Sequence, residues 1–330
     1  MSLMRQALQA SLSDLAYVED EILTGLRRSS VLPALGMDVD LRLVDVEDRE
    51  AVIAELRDGR RAPLVLSAFA DADDAAHAYR VAQALWDAGF DERGRYRIPR
   101  PLALLERDAL VVSEGTAGIP LVKLLDGRDA ETVRQVKEAG AWLGRLHSAL
   151  VREGRPWFPW RTVEVLSTHL RARRRVVEAY RDDVRGMVNR LASAAERAAP
   201  QTLVQTHGRF RPDRVVAAPG VVTVEDLVRS VPGDPARDIA EFAFHIRRRA
   251  VLAGDPRASA LEPAFLEGYL TEAPDEHLDN VGFYAGCAAL TSLVADAPLE
   301  DDLGDWVAFH LAEFDRWVLP TPIEIQLPGA

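Results

Sequence analysis

The spacing of apolar residues changes from helical to strand-like within the first third of the chain. Between residues 8 and 26, leucine, valine and isoleucine recur every three or four positions, which predicts an amphipathic helix packed on the outside of the first lobe. From residue 41 the pattern alternates, and it predicts strands at 41–46, 51–57 and 64–69. Asp58-Gly59 lies between the second and third strands and is a hairpin signal, so we expect an antiparallel arrangement.

The next stretch predicts one helix and a second group of strands. Asp71 or Asp73 can cap a helix that runs to about residue 89, where a glycine ends it. Prolines interrupt the pattern after that, and apolar runs at 102–106 and 109–113 predict a strand pair. The expected order is therefore five strands with a helix inserted after the third.

The rest of the chain is predicted to be mainly helical. Apolar spacing indicates a helix at 130–150, in which we interpret His147 as a packed residue rather than a ligand. An arginine-rich region at 162–199 is expected to be helical with a solvated charged face. We expect a short strand at 202–206, a hairpin at 215–224, and helices at 235–253, 261–270, 277–295 and 303–317.

Composition narrows the class of protein. With 330 residues, 48% of them hydrophobic, the chain can bury a large core and is expected to form two closely packed lobes. The formal net charge of −12 argues against nucleic acid or an anionic membrane as a partner, because both require a clustered basic field. Cys287 is the single cysteine, which excludes an internal disulfide and favours a reducing, cytoplasmic location. No apolar run has the length of a membrane span or the form of a signal peptide.

One loop and the turns that follow it carry the most informative motif. The segment 206–214 reads Thr-His-Gly-Arg-Phe-Arg-Pro-Asp-Arg, and it is followed by Glu225-Asp226 and by Gly-Asp-Pro-Ala-Arg-Asp at 233–238. This spacing resembles the active-site loops of the aminoglycoside phosphotransferase and choline kinase family. The segments 114–121 and 141–147 are also similar to the hinge and to the Leu-Gly-x-Leu-His helix of that family. The resemblance extends over residues 41–269.

The resemblance implies a two-lobed α+β fold of the protein-kinase type. It places a small antiparallel-sheet lobe with one helix at 1–113 and a larger, mainly helical lobe at 114–330. Glu114 and Thr116 then lie in the hinge, where extended backbone would be available to pair with a purine edge. A plain connector between the lobes explains the same residues equally well.

The residues at the family's catalytic positions are not those that the chemistry needs. Arg209 stands where the family has its catalytic Asp, and Arg214 stands where it has a magnesium-binding Asn. A guanidinium group stays protonated, so it cannot act as a base, and magnesium requires oxygen ligands. Asp226 alone keeps the second metal position, and we expect it to pair with Arg209 or Arg214 instead of holding a metal.

The phosphate-holding ion pair of kinases is also missing. Its lysine position falls at Ser67 and its glutamate position at Ala78, and no lysine precedes Lys123. Two alternatives stay open at this point. Asp213 would be the base if the loop were shifted in register, and one of the arginines at positions 60, 61 or 80 would replace the lysine.

These residues predict a kinase-like protein that does not transfer phosphate, that is, a pseudokinase with a binding or regulatory role. The alternatives are an active ATP-dependent small-molecule phosphotransferase with rearranged residues, which would use ATP and magnesium, and a scaffold with a filled cleft. We otherwise expect no cofactor, and either an anionic small molecule or a protein as partner. His207 and Asp238 are expected to brace the loop. The predicted ligand-binding residues are Ser67, Glu114, Thr116, Arg209, Arg214 and Asp226.

Overall fold

The computed structural model describes most of the chain from residue 63 onward. The described residues are Thr24 and the ranges 40–44, 52–57, 63–125, 130–172, 178–199, 202–273, 278–297 and 303–318. The helix predicted at 8–26 lies outside these residues except for Thr24, which is helical. The predicted turn at Asp58-Gly59 lies outside them as well.

The chain forms two compact units. The first comprises Met1–Pro120 with Arg214–Ser230, and the second comprises Leu121–Asp213 with Val231–Ala330. The two predicted lobes, 1–113 and 114–330, place the segment after Arg214 in the second lobe. Strand pairing instead joins it to the first unit, because Val216 and Ala217 pair with Pro120 and Ile119.

The first unit is built on a five-stranded antiparallel sheet. Its strand order is β1-β2-β3-β6-β5, and helix α1 follows the third strand as predicted. Asp71 is the cap of this helix, because its carboxylate accepts the Asp74 N–H at 2.8 Å. The bounds are β1 (Asp40–Val44), β2 (Val52–Arg57), β3 (Leu64–Ala68), α1 (Ala72–Asp87), β5 (Pro101–Leu105) and β6 (Leu110–Glu114).

A second sheet of the first unit carries the predicted hairpin at 215–224. Its order is β4-β10-β9-β7, with the hairpin strands β9 and β10 at its centre. The two outer strands are two residues long and were not predicted, because so short a segment has no measurable periodicity. The bounds are β4 (Tyr96–Arg97), β7 (Ile119–Pro120), β9 (Val215–Ala218) and β10 (Val221–Val224).

The described residues of the second unit are helical apart from loops and one short strand pair. Strands β8 and β11 pair antiparallel just before the loop and the turn that carry the sequence motif. The bounds are α2 (Leu121–Leu124), α3 (Ala130–Ser148), α4 (Pro159–Ala172), α5 (Arg181–Glu196), β8 (Val204–Gln205), β11 (Pro232–Gly233), α6 (Ala236–Leu252), α7 (Ala258–Glu272), α8 (Val281–Ala295) and α9 (Gly304–Val318). None of the helices in the described part of the chain could span a membrane.

Helices α3 and α7 approach each other through glycines. A Cβ atom at Gly140 would overlap the carbonyl oxygen of Phe265, and one at Gly268 would overlap the carbonyl oxygen of Lys137. The same interface carries the hydrogen bond between His147 Nδ1 and the Tyr269 hydroxyl, at 3.0 Å. The spacing between these two helices is therefore set by residues without side chains.

A buried histidine joins α8 to α9. The Trp306 carbonyl, 2.7 Å from His310 Nδ1, can only accept, so Nδ1 carries the proton. The other ring nitrogen, Nε2, then accepts from the Ser292 hydroxyl at 3.0 Å. Burial lowers the pKa of His310 to about 4, against the opposing hydrogen bond to Trp306.

The free energy of unfolding is expected to fall as the pH drops from about 6.5 to about 4. The unfolded histidine takes up a proton near its ordinary pKa, whereas the folded one resists until the lower value, so the unfolded state binds more protons between them. The loss from His310 amounts to at most about 3 kcal/mol. Urea unfolding across this pH range measures it, and His310→Gln should flatten the dependence. Identical pH dependence in both proteins would contradict the assignment.

Candidate functional site

The loop at 206–211 is anchored in the second unit by an aromatic stack. Phe210 is fully buried, and its ring lies 4.9 Å from that of Phe242 and 5.8 Å from that of Trp142, measured between centroids. Phe265 completes the stack against Phe242 at 4.4 Å. Buried ring contacts therefore hold the loop against α3, α6 and α7.

Asp238 holds the backbone of this loop. Its carboxylate accepts the N–H of His207 at 2.5 Å and the N–H of Gly208 at 2.8 Å. It also lies 3.2 Å from His147 Nε2, so the carboxylate links the loop to helix α3. Gly208 adopts a φ of 82°, which a residue with a side chain rarely accepts.

The charge on Asp238 follows from these contacts. Burial raises the pKa of the Asp238 carboxyl. The hydrogen bond with His147 and the positive charge of Arg237 lower this pKa by more than burial raises it, so the net shift is downward. An ionised carboxylate that accepts hydrogen bonds from two backbone N–H groups and one ring N–H positions the loop. His207, the other residue expected to brace the loop, is also fully buried.

The arginines of the loop lie in the second unit with a carboxylate beside them. Arg209 is half-buried, and its backbone N–H donates to His207 Nδ1 at 3.3 Å. Arg211 Nε lies 3.4 Å from Asp213 Oδ1, and both side chains are partly exposed. Asp213 is therefore ion-paired with a neighbouring arginine of the loop.

Arg237 extends this group of charges and was missed in the sequence. Its Nη2 donates to the Gly208 carbonyl at 2.9 Å, which ties helix α6 to the loop. Its guanidinium lies 4.6 Å from the ring centroid of Trp157, and that of Arg161 lies 4.9 Å from the same ring. Arg237 is far from Trp157 in the sequence, so only the fold reveals their contact.

The neighbouring turn has its own structural residue. Asp234 Oδ1 accepts the N–H of Ala236, the first residue of α6, at 2.9 Å. Its other oxygen, Oδ2, accepts from Asn280 Nδ2 at 2.7 Å. The Gly-Asp-Pro motif identified the turn, whereas nothing in the sequence signalled its partner Asn280, the residue before α8.

In the first unit, Arg214 pairs with Asp226. Arg214 Nε lies 3.0 Å from Asp226 Oδ2, with the arginine side chain fully buried and the aspartate 9% exposed. The hairpin enforces this pair, because Val215 and Val224 are in register and the Glu225 N–H donates to the Arg214 carbonyl at 3.0 Å. The expectation that Asp226 pairs with one of two arginines is confirmed, and Arg214 is a partner.

The backbone of Asp226 is unusual as well. Its φ of 70° lies in the left-handed region, which aspartate tolerates better than most residues.

These residues do not fit a magnesium ion. The position at which an amide oxygen would be needed is Arg214, whose charged nitrogens cannot ligate a cation. Asp226, the remaining candidate ligand, forms an ion pair with that guanidinium. Within the described ranges, no three or more His, Cys, Asp or Glu side chains are grouped to hold a metal ion.

Ser67 and Ala78 lie beside an apolar cluster in the first unit. Ala78 packs with Phe69, Ala75 and Val111, and Val65 lies against the same cluster. Side chains alternate along a strand, so Ser67 faces the same side of the sheet as Val65. The position predicted for the charged lysine–glutamate pair of kinases therefore lies at an apolar cluster.

The segment that follows Asp226 covers this cluster. Val228 packs against it, and Leu227 is buried. The Ser230 carbonyl accepts from His77 Nε2 on helix α1 at 2.8 Å. Apolar contacts and this hydrogen bond therefore hold the segment against the five-stranded sheet and α1.

The backbone near Glu114 and Thr116 is engaged within the first unit. The Glu114 N–H donates to the Arg100 carbonyl at 3.0 Å, and the Gly115 N–H donates to the Pro63 carbonyl at 2.7 Å. The Glu114 carboxylate lies 3.6 Å from Arg100 Nη1. The Thr116 hydroxyl is buried and has no hydrogen-bond partner among the described residues.

Comparison with known families gives one match. The model of the family described as Phosphotransferase enzyme family matches residues 42–278. No curated protein is detectably similar in sequence. The match confirms the resemblance inferred from the loop and turn motifs.

Solved structures show the fold. The ethanolamine kinase of Plasmodium vivax is 13% identical with a TM-score of 0.62, covering 96% of this chain and 93% of that one. The choline kinase of Streptococcus pneumoniae is 12% identical with a TM-score of 0.59, covering 91% and 98%. The macrolide 2′-phosphotransferase of Brachybacterium faecium is 16% identical with a TM-score of 0.51, covering 91% and 99%. The predicted fold class, α+β and kinase-like, is confirmed.

Proposed function

The chain belongs to the Phosphotransferase enzyme family, and we propose that it is a member that does not transfer phosphate but acts as a binding or regulatory pseudokinase. The observation that carries this proposal is the ion pair between Arg214 and Asp226, 3.0 Å apart. It occupies the one carboxylate that the metal position keeps. A buried charge pair of this kind is costly to open, because each partner would be left desolvated.

The chemistry of phosphoryl transfer supports the proposal. The reaction needs positioned phosphates, a metal ion that neutralises the developing charge, and a carboxylate that orients the acceptor hydroxyl. Arg209 stands where that carboxylate would act, and a guanidinium cannot accept a proton. Two arginines in place of Asp and Asn also reverse the charge of these positions.

The five-stranded sheet of the first unit supports the proposal independently. Kinases hold the phosphates with a lysine of the third strand that pairs with a helix glutamate. Here β3 offers Ser67, and α1 offers Ala78 within an apolar cluster that Val228 covers. A charged replacement would have to enter that cluster without a partner, which is unfavourable.

The purified protein is expected to give no phosphotransferase activity above background with ATP or GTP and magnesium. Choline, ethanolamine, macrolides and aminoglycosides are suitable acceptors, because the similar structures are kinases of such compounds. Radiolabelled transfer and nucleotide hydrolysis both report the reaction. Robust turnover that disappears in Asp226→Ala would overturn the proposal and favour the active, rearranged phosphotransferase. Turnover that disappears in Asp213→Asn would instead favour the shifted register.

Nucleotide binding gives a second readout of the same proposal. A ligand that binds only the native state stabilises it by about RT ln(1 + [L]/Kd), so millimolar ATP with magnesium should hardly change Tm. A shift of several degrees that needs magnesium would count against the proposal.

The single cysteine, Cys287, supports the further proposal of a cytoplasmic location.

A further inference from the structure

Arg214 forms an ion pair with Asp226 in the first unit, whereas the other arginines of the motif belong to the second unit. Arg209 and Arg211 lie on the loop, and Arg237 lies in the first turn of α6 and donates to the Gly208 carbonyl. We call Arg209, Arg211 and Arg237 the arginine cluster. Asp238, next to Arg237, fastens the same loop to α6 through the N–H groups of His207 and Gly208.

One face of α6 lies beside the arginine cluster. Arg237, Glu241 and His245 are four residues apart, so they share that face of the helix. Burial raises the pKa of Glu241, and the charges of Arg211, Arg209 and Arg237 oppose this effect. The charges of Arg211 and Arg209 also contribute, after burial, to lowering the pKa of His245. The loop arginines therefore lie within electrostatic reach of the helix face.

Trp157 borders the cluster. The guanidinium groups of Arg237 and Arg161 lie 4.6 Å and 4.9 Å from its ring centroid. The backbone N–H of Trp157 donates to the Pro232 carbonyl at 2.8 Å, which holds this residue beside the strand pair that precedes the loop.

We propose that the arginine cluster binds the tetrahedral oxyanion of a small molecule, a phosphate or a phosphate ester, without a metal ion. This inference rests on the proposed absence of phosphotransfer at the same loop. A guanidinium carries five donors in a planar fork that matches such an anion, so an anion can join the contacts that the cluster already makes. The three arginines lie in a chain of net charge −12, so their grouping is not explained by a generally basic composition.

Calorimetric titration with inorganic phosphate at neutral pH, in the presence of EDTA, tests the proposal. Arg209→Gln is expected to raise Kd about tenfold or more, the value of one charge-assisted hydrogen bond. If Arg209→Gln does not fold, Arg209→Lys replaces it and should weaken binding by losing the fork.

Arg185→Gln is the matched control. It removes the same charge from an exposed side chain of α5, so it corrects for salt effects and for the general stabilisation that phosphate gives to proteins. Equal phosphate affinities of the Arg209 and Arg185 variants, or no measurable binding by the wild type, would overturn the proposal. Tighter binding of phenyl phosphate than of phosphate would identify an aromatic ester as the better ligand, through contact with Trp157. Equal binding would identify the free anion.

The outcome separates this inference from the proposed function. Turnover with ATP and magnesium that depends on Asp226 overturns the proposed function, whatever the titration gives. Absence of turnover together with equal affinities in the two arginine variants overturns only the anion site. Absence of turnover together with a selective loss in the Arg209 variant supports both.

Discussion

Arg214→Ala is expected to lower the free energy of unfolding by about 3–5 kcal/mol, the usual penalty for removing one partner of a buried ion pair. The arginine side chain is fully buried, and Asp226 is 9% exposed, so the variant leaves a carboxylate with neither its partner nor full access to water. The hairpin that holds both residues cannot open to solvate it, because Val215 and Val224 pair directly beside them. Urea unfolding at neutral pH measures the loss.

A double variant separates the charge from the packing of the arginine. Arg214→Ala with Asp226→Asn removes both charges, and asparagine tolerates the φ of 70° that Asp226 adopts. The double variant should recover part of the stability lost in Arg214→Ala, whereas Asp226→Asn alone leaves a buried guanidinium and should be destabilised. If Arg214→Ala unfolds like the wild type, the pair does not occupy the carboxylate, and the argument against magnesium binding fails with it.

The elements of the first unit could be predicted from local patterns. Strands β1 to β3 alternate in hydrophobicity, and α1 begins at a capping aspartate and has helical spacing, so each carries its signal within its own residues. Strands β4 and β7 could not be predicted, because two residues form a strand only when a distant partner pairs with them. The same pairing moved the hairpin from the predicted second lobe to the first unit.

The candidate site divides in the same way. The sequence identified Arg214 and Asp226 as opposed charges, and the hairpin between them made their contact foreseeable. It left open which of two arginines would pair, since that depends on register. The contact between Trp157 and Arg237 joins segments that are not neighbours in the chain, and no periodicity or motif connects them.

Gly268→Ala is expected to lower the free energy of unfolding by about 3 kcal/mol or more, at the upper end of what overpacking costs. The added Cβ would overlap the carbonyl oxygen of Lys137 in helix α3, and backbone cannot move away as a flexible side chain could. Alanine favours a helix over glycine by about 1 kcal/mol, so the measured loss already includes that opposing gain. Chemical denaturation of the two proteins measures the difference.

The consequence of the tight interface reaches the loop. Tyr269 follows Gly268 and bonds to His147, which in turn lies 3.2 Å from Asp238, the carboxylate that holds the N–H groups of His207 and Gly208. Pushing α7 away from α3 should therefore loosen the loop as well as lower stability, and amide hydrogen exchange at Gly208 should become faster in Gly268→Ala.

Gly186→Ala is the matched control for this effect. Gly186 lies inside α5, and a Cβ there would have no neighbour within 4 Å among the described residues. The substitution should leave the loop unchanged and stabilise the protein by about 0.5–1 kcal/mol, because alanine loses less backbone entropy in a helix. Equal effects of Gly186→Ala and Gly268→Ala would mean that helix propensity alone decides both. The close approach of α3 and α7 would then not be what fixes the loop.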